Sequence, residues 1–121
     1  MKKHHFKVKE TGYHHEAVKV LARWVKGKRE QIFSIDGYPA FVPDVTCYEE
    51  GFIKSMYEVA YTHPVDGKKL GLIQYWSYRN NTPLTIYEVT AEFILGQLSK
   101  PDTIECFNVH IIDFDVLNPG M

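Results

Sequence analysis

Two carboxylates frame the chemistry open to this chain. Asp44, preceded by Pro43, falls in a stretch with strand character at about 40–47, and Glu58 falls in the next such stretch. If these strands pair as neighbours, the two acids converge on one edge of a sheet, and converging carboxylates with open positions suit Mg2+ or Mn2+. Each also has a plainer reading, since Pro-Asp is turn chemistry and a strand Glu faces solvent. A basic set lies upstream. His15 and Lys19 stand one turn apart on one face of an expected helix, continued by Arg23 and Lys26, and can together contact a phosphate. Glu16 beside them would join a metal shell if that helix packed against the acidic edge. Thr62 and His63 end the third expected strand, where an imidazole titrating near neutrality can touch a phosphate or support a metal-bound water, or simply terminate the strand before Pro64.

The elements that must position these residues are read from periodicity. Ala17, Val18, Leu21, Ala22 and Val25 recur at helical spacing, predicting a helix from His14 to about Lys26, ended by Gly27. Residues 31–36 and 40–47 read as a hairpin about Asp36-Gly37-Tyr38-Pro39, and 52–62 as a third strand. Leu70, Ile73 and Trp76 predict a second helix from 65 or 66 to about 80, with the Asp66 carboxylate at its N-terminus. A fourth strand follows at 84–89, a short helix at 90–99 with Thr90 as N-cap, and a last strand at 105–114. The order is α-β-β-β-α-β with an α-β addition, which predicts one α/β domain with a mixed central sheet. Its core spans about 14–90, flanked by a basic segment at 1–13 and a C-terminal extension at 90–121. Tyr57, Tyr61, Tyr75, Trp76 and Tyr78 could stack on unpaired bases, although Trp76 falls on the apolar stripe and most of the others also suit a core.

Composition bounds the function classes. With 121 residues, 45% hydrophobic and 24% charged, the chain can bury one core, which excludes wholesale disorder and a disulfide-dense scaffold. Its net charge of −1 conceals a split: residues 1–30 carry nine basic and three acidic side chains, while the remainder carries five basic and twelve acidic. Such asymmetry suits either a polyanion-binding face or an ordinary solvated surface. No apolar run nears the roughly 18 residues that span a bilayer, and Met1-Lys2-Lys3-His4-His5 leads into no hydrophobic segment, so a cytoplasmic protein without a membrane partner is expected. Cys47 and Cys106 form no C-x-x-C pair, and neither a Gly-rich phosphate loop nor a Ser/Cys nucleophile motif is present.

The element order, Pro43-Asp44 and Glu58 together resemble the PD-(D/E)XK restriction-endonuclease-like superfamily, which has an αβββαβ core. The run from Glu58 to Lys69 (EVAYTHPVDGKK) resembles an E-V-x-x-T-H-x-V-D-x-x-K pattern of bacterial and phage domains similar to competence-associated nuclease-like proteins. His15-Glu16-Ala17-Val18-Lys19 resembles the H-x-x-x-K of their opening helix, and Ile86-Tyr87-Glu88-Val89 their strand after the second helix. The resemblance covers about 14–90 and implies metal-dependent hydrolysis of DNA phosphodiester bonds. Asp44 and Glu58 would then hold one or two Mg2+ or Mn2+ ions, with a lysine orienting the attacking water. The chain departs from the pattern at Ala60, where that lysine is expected. Lys69, about one turn into the second helix, is the favoured substitute. Lys54 shares the strand but lies about 13 Å from Glu58 by strand rise. Without either, the fold would be a catalytically silent nucleic-acid-binding module; a protein-interaction domain of a phage or defence system is the third reading. One site per chain implies a homodimer, or two successive events, for cutting both strands of a duplex.

Overall fold

The computed structural model describes residues 2–61 and 64–114, with side chains from residue 12 onward. The first helix, α1 (Lys2–Val25), begins well before the expected His14. Apolar spacing marks where a helix packs, and Ala17, Val18, Leu21 and Ala22 are the part of α1 that is buried. At its end Lys26 takes the left-handed conformation (φ 55°), while Gly27 donates to the Ala22 carbonyl (3.0 Å). Gly27 is needed for another reason, because a Cβ there would collide with the Val45 side chain.

Among the described residues seven strands follow. They are β1 (Lys28–Arg29), β2 (Phe33–Ile35), β3 (Tyr38–Phe41), β4 (Val45–Glu49), β5 (Phe52–Ala60), β6 (Leu84–Thr90) and β7 (Asn108–Ile112), with α2 (Gly67–Arg79) and α3 (Ala91–Leu95) on either side of β6. Five strands form one sheet in the order β1-β4-β5-β6-β7, and β2-β3 form a separate hairpin. Only β5 and β6 run parallel, joined by α2 as a crossover; the other pairs are antiparallel. Two-residue loops close both hairpins, Asp36-Gly37 and Glu50-Gly51, each with positive φ at both positions, the geometry that matches strand twist.

The expected strand at 40–47 is in fact two. Pro43 has no amide hydrogen to give a ladder, and the chain breaks at Val42-Pro43-Asp44 as it leaves the hairpin for the central sheet. Pro43-Asp44 therefore precedes β4 instead of lying within a strand. The short helix also stops sooner than expected, at Leu95, where Gly96 donates to the Glu92 carbonyl (3.0 Å). The last strand is limited to the five residues that pair with β6.

Both faces of the β5/β6 pair are covered, as a parallel pair requires. On one face Ala17, Val18 and Leu21 of α1 and Ala91 and Ile94 of α3 pack with Val45, Val59 and Val89. On the other, Ile73 of α2 packs with Met56, Leu84, Ile86 and Ile112, and Trp76 meets the rings of Phe33 and Phe41 edge-on. Trp76 is thus a core residue. Local capping starts both later helices: Asp66 accepts from the Lys68 amide (2.9 Å) and Thr90 from the Phe93 amide (3.1 Å). Among the described residues no helix is long and apolar enough to cross a membrane.

Candidate functional site

The break at Pro43 sets up the site. Asp44, outside the ladder, uses its free amide to donate to Glu58 Oε2 (2.8 Å), and the Val59 amide donates to Asp44 Oδ2 (2.8 Å). Each carboxylate is thus held by a backbone N–H beside the other, which fixes both at the C-terminal end of β5. Glu58 is buried, at 2% exposure, and faces α2 by the alternation that also turns Met56 inward. Lys69 sits in the first turn of α2, four residues before buried Ile73 and so on the sheet-facing stripe, and its ammonium pairs with Glu58 Oε1. Asp44, Glu58 and Lys69 are brought together, and Ala60 lines the same cleft of about 420 Å3. Lys54 is not; it pairs with Glu49 (2.6 Å) near the far end of β5.

Sequence reasoning missed His14. Its Nε2 lies 3.4 Å from Asp44 Oδ2 and 3.1 Å from the Val59 carbonyl oxygen. The signal was available, because His14 stands three, four and seven residues before Ala17, Val18 and Leu21 and so extends the buried stripe. His15, one residue on, points away and pairs with Glu30 (3.7 Å). Lys19 pairs with Glu16 (3.7 Å), and Arg23 is exposed; these three basic residues lie along α1 outside the cleft, and Glu16 is likewise outside it. Thr62 and His63 lie outside the described residues. Tyr61, at the rim of the cleft, is exposed and meets Tyr13 edge-on, while Tyr57 stacks on Tyr87 against the α1 face.

The electrostatics follow from this packing. Burial, and then the Asp44 charge, push Glu58 up to about 7, only partly offset by Lys69. Burial also pushes Asp44 upward, but the hydrogen bonds from His14 and the Val59 amide, with the charges of His14 and Lys69, hold it below its ordinary value. His14 is raised, chiefly by its hydrogen bond to Asp44 and against the effect of burial. Asp44 is thus the acid held ionised, while Glu58 takes up a proton near neutral pH, with the Lys69 ammonium and the His14 ring as the cationic groups beside them.

Among the described residues no group of three or more His, Cys, Asp or Glu side chains is placed to hold a metal ion. The two carboxylates lie side by side, with the Val59 carbonyl taken up by the His14 Nε2 hydrogen. Oxygen-rich donors of this kind match a hard divalent cation, and a carboxylate has more lone pairs than these contacts use.

The fold and site define an α/β protein with a mixed five-stranded sheet in which buried Glu58 and half-buried Asp44 lie side by side at the C-terminal end of β5. Comparison with family models, with curated proteins and with solved structures finds no match.

Proposed function

We propose that this chain is a Mg2+- or Mn2+-dependent nuclease of the restriction-endonuclease-like type, acting on DNA. The observation that carries the reading is the convergence of Asp44 from the strand break, Glu58 from β5 and Lys69 from α2 on one cleft beside Ala60. Support also comes from the order of elements, in which an opening helix, an antiparallel pair, a crossover helix and a parallel strand build the core.

Asp44 and Glu58 hold the cation, with His14 and the Val59 carbonyl beside them. When bound, the cation supplies an activated water and neutralises charge developing on the phosphate. Lys69 replaces the lysine absent at position 60: from α2 its ammonium reaches the edge that a strand side chain two residues after Glu58 would reach, and there it stabilises the negative charge of the transition state. His14 holds the Asp44 carboxylate in its ionised form. His15, Lys19 and Arg23, on the outer face of the same helix, hold the phosphate backbone.

Cleavage of plasmid and single-stranded DNA in Mg2+ or Mn2+ tests this. Asp44→Ala and Glu58→Ala are each expected to lower the rate at least ~100-fold, and Lys69→Met by ~100-fold with partial recovery when combined with Ala60→Lys. Unchanged cleavage in the two acid variants removes the catalytic assignment. Salt-sensitive binding without cleavage by the native chain identifies a silent binding module instead.

A further inference from the structure

The two edges of the central sheet are built differently. One edge is β1, just two residues long, and both are cations, Lys28 and Arg29. Short length and positive charge are the usual means of stopping a sheet edge from pairing with another chain. The other edge, β7, has none of these. It runs five residues, Asn108-Val109-His110-Ile111-Ile112, without Lys, Pro, an acid or a register shift, and among the described residues nothing pairs with its outer side. Its α1-side face is apolar and open: Val109 is 50% and Ile111 73% exposed, and Ile111 shares a cleft with Phe52, itself 77% exposed.

We propose that β7 pairs antiparallel with β7 of a second copy of this chain, about a twofold axis through His110, joining two five-stranded sheets into one of ten strands. The strand is self-complementary about that axis. Val109 faces Ile111 of the copy at two symmetric positions, placing apolar side chains opposite each other on one face, while no two like charges of Lys, Arg, Asp or Glu meet. With Phe107, these open side chains cover only part of the roughly 800 Å2 that a stable interface takes from each partner, so the hydrogen bonds of the strand ladder carry much of the pairing. The axis lies normal to the sheet, so the α2 faces of both protomers, and the Glu58 of each, lie on the same side. Five strand spacings separate the two β5 strands, roughly 24 Å. The inference rests on the sheet edge alone and stands whether or not the cleft cuts DNA.

Sedimentation equilibrium of the native chain is expected to show a monomer–dimer equilibrium, with amide exchange over 108–112 slowing as concentration rises. A chain that stays monomeric up to about 1 mM overturns the proposal. Two double variants test the register. Val109→Lys with Ile111→Lys sets ammonium against ammonium at both pairs and should weaken association at least ~tenfold, while Val109→Glu with Ile111→Lys sets carboxylate against ammonium and should associate at least ~threefold more tightly than the first. All these side chains are half or more exposed, so unchanged melting temperatures verify the fold. Equal association by the two variants overturns the self-paired strand and points to a different partner for this edge.

Discussion

Glu58 and Glu88 are the same residue type, sit directly opposite each other in the parallel β5/β6 pair, face the same side of the sheet, and are 2% and 1% exposed. Their surroundings differ. Glu58 meets a second carboxylate's backbone and an ammonium that is 28% exposed, at the wall of an open cleft. Glu88 accepts from the Asn108 amide (2.7 Å) and lies 3.3 Å from His110 Nε2, both on the adjacent β7. Burial alone therefore does not mark a reactive acid. A carboxylate whose partners come from one neighbouring strand braces the sheet; Glu58 is held between the strand break at Pro43 and the start of α2, beside another acid and a partly exposed ammonium at the wall of an open cleft.

The sharpest way to break this contrast is cleavage. Glu58→Gln should lower Mg2+-dependent hydrolysis at least ~100-fold, whereas Glu88→Gln should stay within about threefold of the native rate at a temperature where both are folded. Equal losses would show that the two acids form one site. Stability should run the other way. Glu88→Ala removes the acceptor for Asn108 and leaves a buried gap, at a cost of about 2 kcal/mol by urea denaturation, while Glu58→Ala should cost about 1 kcal/mol or less, because Lys69 can turn to water and an unfavourably buried charge is lost.

The smallest effect is on pH dependence. Glu58 is raised in the folded state from an ordinary 4.5 to about 7, so the native chain holds that proton more tightly than the unfolded chain. Its contribution is fully present below pH 4.5 and is lost as pH rises through about 7. His14, also raised, acts in the same sense from 6.5 upward, whereas Asp44, lowered from 3.8, stabilises above that value and loses its contribution in acid. Urea midpoints should therefore fall between about pH 5 and 8, and Glu58→Gln should flatten the lower part of that slope and leave the part due to His14. A slope unchanged in Glu58→Gln would place the titration elsewhere.

Much of the architecture was legible because its causes are local. The Ala17-to-Val25 stripe, the Asp66 and Thr90 caps and the Asp36-Gly37 turn each depend on residues within a turn or two of one another, whereas the expected strand and helix ran through Pro43 and Gly96, where the elements in fact end. The element order that follows from them matched the fold in part; the divided strand, the separate hairpin, the early start of α1 and the edge strand β1 were not expected. The acidic pair and Lys69 were legible as candidates by type and by their resemblance to a known pattern, but not as a constellation.

By itself the sequence determined which segments become helix and strand and which acids and lysines were available for chemistry. Tertiary structure decided which of them meet. The Asp44 amide bonds Glu58 across 14 residues, His14 reaches Val59 across 45, and Lys69 faces β5 only because α2 crosses back over the sheet. No local pattern encodes such contacts, since they arise when two faces of one sheet are covered by helices whose apolar stripes dictate what else each helix must point inward.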